Sequence, residues 1–177
     1  MAHELASCTK CALHHTRQRV VIGSGPLNAR LMVVGEAPGR AEDEGGAPFI
    51  GRSGQLLVRL IAEELGLTRD EYFITNVVKC RPPKNRTPSV AEATTCQPWL
   101  DQQIATQQPS YLLAVGATAA RYALGLVAPM REIHGVASLR GDVVGLATYH
   151  PAAALRGGPN VVAVMRHDLT VLKELGL

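Results

Sequence analysis

Four continuous apolar runs, each followed by a helical pattern, constrain this chain more than any other feature of it. The runs are "RLMVVGE", "YFITNVVKC", "SYLLAVGA" and "DVVGLATYH". An apolar run without polar alternation suits a strand covered on both faces, as in a parallel sheet between helices. Helical spacing follows each run. Leu56, Leu57, Leu60, Ile61 and Leu65 recur through "GQLLVRLIAEELGL" after a Ser53 cap, and "SVAEATTCQPWLDQQIATQQ" reads as helix from Ser89, bent or started afresh near Pro98. "TAARYALGL" and the closing "VVAVMRHDLTVLKELGL" complete the set, while "RQRVVIG" reads as one further short strand. The alternation predicts an α/β fold, a three-layer α/β/α sandwich about a central four-stranded parallel sheet, in one domain spanning residues 1–177.

In open parallel sheets, ligands bind beyond the carboxyl ends of the strands. The residues at those ends are Glu36, Asn76, the Gly116–Ala117 pair and His150. An acid, an amide, an imidazole and a glycine turn, each from a separate run, therefore meet on one rim. The first run opens into "VVGEAPGRAEDEGGAPFIGRSG", a glycine-rich loop with four acids (Glu36, Glu42, Asp43, Glu44) and a lone ring, Phe49. Aromatic residues make up only 4% of the chain, so a ring flanked by proline and glycines in a loop suits contact with a ligand better than core filling.

The formal charge of +3 permits a polyanionic partner without demanding one. No apolar run approaches the ~20 residues of a membrane span, and "MAHELASCTK" lacks the apolar stretch of a signal peptide. The chain reads as a cytoplasmic, intracellular protein with no membrane partner. In that compartment clustered cysteines hold metal more often than they form disulfides. Cys8, Cys11, Cys80 and Cys96 form a C-x2-C pair, a long gap and a C-x15-C pair. Four thiolates complete either a tetrahedral zinc site or a cubane iron–sulfur cluster, and the spacing does not choose between them. Four unrelated buried thiols are disfavoured by the polar, loop-like surroundings of these positions.

"GEAPGRAEDEGGAPFIGRSGQLL", "ITNVVKCRPPKNRTP" and "HPAAALR", with the cysteines in this order, resemble the family 4 uracil-DNA glycosylases. The likeness runs from Cys8 to about Leu175. It implies a 4Fe–4S cluster on Cys8, Cys11, Cys80 and Cys96, and a structural role for it. It also implies hydrolysis of the N-glycosidic bond of deoxyuridine in single- or double-stranded DNA, leaving an abasic site for base excision repair. The enzyme is expected to act as a monomer near the nucleoid.

By the same resemblance Gly35, Glu36, Ala37, Phe49, Asn76 and His150 surround the base. His150 donates to uracil O2 and stabilises the departing charge, while Asn76 reads O4 and N3–H. Glu36 is the first choice for general base or for electrostatic partner of the sugar cation, with Glu42 and Asp43 as alternatives. Ala37 stands where the classical uracil-DNA glycosylases carry an aspartate, which leaves the water-activating group open. Arg81, Lys84, Arg86 and Arg156 suit phosphate contact, and Leu155 suits wedging into the duplex. Some relatives with a histidine-bearing basic insertion in the "RPPKNRTP" loop become trapped on DNA; here the loop is short and carries Asn85, which predicts turnover. Two other readings compete: a non-catalytic DNA- or uracil-binding module of the same fold, and a small electron-transfer iron–sulfur protein. The latter leaves the strand-end constellation unexplained.

Overall fold

The computed structural model describes residues 2–177. The elements in chain order are α1 (Ala2–Ala6), β1 (Leu31–Gly35), α2 (Arg40–Gly45), α3 (Arg52–Leu65), β2 (Phe73–Asn76), α4 (Val90–Gln107), β3 (Tyr111–Val115), α5 (Ala117–Leu124), α6 (Met130–Ile133), β4 (Ala137–Arg140), β5 (Val143–Thr148), α7 (Pro151–Gly157) and α8 (Pro159–Glu174). One sheet runs in the order β2-β1-β3-β5-β4. Its first four strands are parallel, as the four apolar runs require.

All five residues of β1 are buried, and the strand's pleat divides them between two cores. Met32 and Val34 pack on one face with Leu112, Ala114 and the α4 and α5 residues Ala93, Leu100, Ala120 and Ala123. Leu31 and Val33 pack on the other with Ile74, Leu113, Leu146 and the α3 and α8 residues Leu57, Leu60, Ile61, Met165 and Leu169. Successive side chains of a strand point to opposite faces, so an unbroken apolar run is what two helical layers demand.

The structure corrects the sequence expectation in several places. A fifth strand, β4, pairs antiparallel with β5 through a two-residue turn at Gly141 and Asp142. Its sequence, Ala137–Arg140, is half-exposed and lacks an apolar run because it forms the sheet edge, where a charged residue such as Arg140 discourages further pairing. "RQRVVIG" is not a strand; near it Ser24 makes only an isolated antiparallel bridge to Ile74. β2 stops at Asn76, after which Val77 and Val78 turn away by donating to the Gly35 and Glu36 carbonyls. The α3 cap is Gly51 and not Ser53, which lies one residue inside the helix. α4 runs as one helix through Pro98. "RAEDEG" within the acidic loop forms the short helix α2. Among the described residues no helix is long and apolar enough to cross a membrane.

One close approach fixes the loop after β1. A Cβ on Gly54 would lie 2.3 Å from the backbone carbon and oxygen of Phe49. Gly54 sits inside α3, where alanine is ordinarily the better helix former. Gly54→Ala should nonetheless destabilise the protein, by about 1–3 kcal/mol, because the clash is with backbone. Denaturant unfolding would detect it as a lower midpoint with an unchanged slope.

Candidate active site

The parallel register sets the geometry of the rim. Gly35, the last residue of β1, pairs with Asn76, the last of β2, so Glu36 leaves the sheet beside Asn76. β3 ends one strand over and turns through Gly116 into α5; β5 ends beyond it and leads to His150. A cavity of about 500 Å³ opens at this rim, lined by Glu36, Phe49, Asn76 and His150 among others. That volume falls in the usual range of small-molecule sites, roughly 300–1,000 Å³.

Phe49 forms one wall. It holds a left-handed φ of 60°, a conformation that costs a bulky residue energy and that accumulates at functional sites. Its ring lies over Gly35, where an added Cβ would come within 2.5 Å of the ring and of Asn76 Oδ1. A glycine at the strand end is therefore what lets the ring and the amide stand side by side. Asn76 is only 2% exposed, and among the described residues no hydrogen bond engages its side chain. A buried amide without protein partners is available to a ligand.

His150 caps α7: the Ala152 N–H donates to its Nδ1 at 3.2 Å. An accepting Nδ1 assigns the ring proton to Nε2, the tautomer that donates outward. Burial lowers the imidazole's pKa below its ordinary value, with Glu36 opposing the shift and Arg156 adding to it. The histidine is thus held neutral, as a donor, around pH 7.

The acids separate by their partners. Glu36 accepts a 2.5 Å hydrogen bond from Thr118 Oγ1 at Oε2 and keeps Oε1 without a protein donor among the described residues. Glu42 lines the cavity, but both its oxygens are occupied, by Gly39 N–H at 3.0 Å and Gly51 N–H at 2.9 Å. It closes the loop on itself. Asp43 is 1% exposed, does not line the cavity, and accepts from the Gln18 and Arg19 amides. It ties the loop to the N-terminal segment, so the structure does not bring Asp43 to the site. Glu44 is exposed and pairs with Arg40. Ala37 lines the cavity without a polar side-chain atom to offer.

Of the basic residues, Arg86 and Arg156 line the cavity, whereas Arg81 and Lys84 do not. Arg86 also forms a bidentate pair with Glu92, at 2.8 and 2.7 Å. Arg81 donates to Asn85 Oδ1 at 2.6 Å, and Lys84 is exposed with a left-handed φ of 56°. Leu155 is 50% exposed on α7, beside Arg156.

Cys8, Cys11, Cys80 and Cys96 line a second, smaller cavity together with Lys10, Arg17, Lys79 and Trp99. Among the described residues no group of three His, Cys, Asp or Glu side chains closes on a single ion. The surroundings are nevertheless built for sulfur and negative charge. Arg17 Nη1 donates to Cys80 Sγ at 3.2 Å, and the buried indole N–H of Trp99 has no partner. Burial pushes the Cys80 thiol up to about 11, with Arg17 opposing the shift. Lys79, fully buried, donates to Thr75 Oγ1, to the Asn76 carbonyl and to Gln103 Oε1, linking this cavity to the rim; burial lowers its pKa to about 7. Four soft donors, adjacent cations and an orphaned N–H fit an anionic sulfur-ligated group.

Thr118 and Arg17 escape sequence reasoning. Only position could have pointed to Thr118: it lies two residues beyond the glycine that ends the third run.

A family model described as the uracil DNA glycosylase superfamily matches residues 22–170. The chain is 44% identical to the type-4 uracil-DNA glycosylase of Pyrobaculum aerophilum, over 99% of this chain and 93% of that protein. It is 40% identical to the type-4 uracil-DNA glycosylase of Sulfurisphaera tokodaii (98% and 82%) and 40% identical to that of Thermotoga maritima (90% and 84%).

The Arg86–Glu92 pair generates a pH-dependent prediction. The Arg86 hydrogen bond holds the Glu92 carboxyl down to about 2, with the Ser89 amide contributing. An unfolded glutamate titrates near ~4.3, so this stabilisation is fully present above that pH and is lost as pH falls towards 2. Glu92→Gln should lower Tm at pH 7, and the gap from the parent should shrink as pH falls from about 4 towards 2.

Proposed function

Because the chain belongs to the uracil-DNA glycosylase superfamily, with type-4 relatives along nearly its whole length, we propose that it excises uracil from DNA by hydrolysing the N-glycosidic bond. The observation that carries this reading is the convergence of Glu36, Asn76 and His150, with the Phe49 ring, on one cavity. The target bond is out of reach inside a duplex, so the nucleotide must be flipped out at a cost of about a few kcal/mol. In the cavity the pyrimidine stacks on Phe49. The Asn76 amide donates to uracil O4 and accepts from N3–H. Cytosine presents the opposite pattern and would leave a buried amide unpaired, which is a strong basis for rejection.

The C1′–N1 bond then breaks with its electron pair passing into the base. The Nε2–H of neutral His150, aimed at O2, stabilises the negative charge as it grows. Positive charge grows on the sugar at the same time and is met by Glu36. A water oxygen bonds to C1′ and gives up a proton, Glu36 being the carboxylate with a free oxygen to take it. The base anion gains a proton, leaving free uracil and an abasic site with a C1′ hydroxyl. Among the described residues no lysine lines the cavity, and Lys79 is committed to three buried partners, which supports hydrolysis without a Schiff-base lyase step. Arg156 and Arg86 at the rim suit the flanking phosphates, and Leu155 beside them suits the gap left in the stack.

The four cysteines are proposed to hold a 4Fe–4S cluster. When bound, it supplies a cross-link between the N-terminal segment, the chain beyond β2 and α4, and no redox step is asked of it. Iron and acid-labile sulfide should co-purify with the protein, and Cys80→Ser should lose both and lower Tm. Metal-free protein of unchanged Tm would oppose this assignment.

A uracil-containing oligonucleotide tests the activity. The parent should release uracil with multiple turnovers and leave no denaturant-resistant adduct. His150→Ala should lose on the order of tenfold to a thousandfold in single-turnover rate, as expected when a charge-stabilising donor is removed. Since the neutral imidazole is the working form and its pKa is lowered by burial, the midpoint of the fall in rate on the acid side should lie below the ordinary histidine value of ~6.5.

A further inference from the structure

Glu36 does not stand in the cavity unsupported. β1 and β3 are neighbours in the sheet, with Val34 opposite Ala114, so the chain leaving β1 meets the start of the helix that follows β3. Glu36 is the first residue beyond β1, and Thr118 is the second residue of α5. Their side chains join across the rim, Thr118 Oγ1 donating to Glu36 Oε2 at 2.5 Å. That length belongs to the strong, charge-assisted class of O–H···O⁻ bonds. One oxygen is held, which fixes the rotation of the carboxylate, and the other has no protein donor among the described residues, on a residue that lines the cavity.

We propose that Thr118 is a positioning residue for uracil excision: its hydroxyl sets the orientation in which the Glu36 carboxylate meets the sugar cation and the attacking water. The inference rests on the glycosylase reading given above. Thr118 itself does not line the catalytic cavity, so it acts through Glu36 and not on the substrate. The other charged or titratable groups that face the same cavity are Glu42, Arg86, His150 and Arg156, while Arg121 lies exposed one turn along α5. Glu42 is saturated by backbone donors and Arg86 is paired with Glu92, so neither can take over the hydroxyl's role on Glu36.

The requirement is for a donor and not for bulk. Valine keeps the shape of threonine but removes the hydroxyl, and serine keeps the hydroxyl but removes the methyl. Deleting a hydrogen bond to a charged group typically lowers a rate governed by that group by about 10- to 100-fold. Thr118→Val should therefore lower kcat on a uracil-containing oligonucleotide by about that factor, with KM changed by no more than about twofold. Thr118→Ser should restore most of kcat.

A Thr118→Val enzyme whose kcat matches the parent would overturn the proposal. A Thr118→Ser enzyme as defective as the valine variant would overturn it as well, since packing of the methyl would then be what matters. A rise in KM alone would assign Thr118 to substrate binding and would equally overturn it. The carboxyl-carbon NMR chemical shift of Glu36 at pH 7 needs no turnover: Thr118→Val should move it, by removing the hydroxyl bonded to Oε2, and Thr118→Ser should leave it in place. A parent that releases no uracil would sink the glycosylase reading, while this chemical shift would still decide the Thr118–Glu36 link.

Discussion

The last rung of the β1–β2 ladder, where Gly35 lies opposite Asn76, is the constraint from which the site follows. A parallel register delivers every carboxyl end to the same edge of the sheet, so a single shift would move Asn76 away from the Phe49 ring and turn its amide to the other face. Gly35 lets ring and amide approach, and Gly54 admits the Phe49 backbone in its left-handed conformation. Two glycines and one register thus create a slot with a flat wall and an amide at its edge.

The acids around that slot show how one composition is divided between structure and chemistry. A carboxylate whose oxygens accept backbone N–H bonds is spent on holding the chain, and Glu42 and Asp43 are spent in this way on the loop and its N-terminal neighbour. Glu36 differs because its partner is a side-chain hydroxyl on one oxygen only. The buried Lys79 forms a comparable link in the other direction, from the four-cysteine cavity to the carbonyl of Asn76. The Asp168 carboxylate, also fully buried, is satisfied by His134 and Thr148 and braces β5 just before His150. Polar groups are buried behind the rim where each finds a partner, which is the condition for their rigidity.

Much of this was legible in the sequence because parallel strands buried on both faces leave unbroken apolar runs, and their ends point to Glu36, Asn76 and His150 without further knowledge. What escaped was decided by tertiary contact. β4 is short, half-exposed and polar at a sheet edge, so its residues carry no strand-like run, although the Gly141–Asp142 pair was a usable turn signal. The helix α2 lay hidden in a segment whose glycines and acids read as loop. Sequence placed Glu36 ahead of Glu42 and Asp43 but could not retire the other two, since the amides that occupy them are brought up by the folding of the loop on itself and by the N-terminal segment. Thr118 was invisible for the same reason, its partner being 82 residues away.

The most direct measurement follows Asn76 side-chain N–H and His150 ring N–H resonances while free uracil is added to the labelled protein. Uracil should shift both sets together, saturating at one concentration, and equal cytosine should leave them in place. Uracil shifts confined to other parts of the chain, or equal responses to the two bases, would contradict the proposed site.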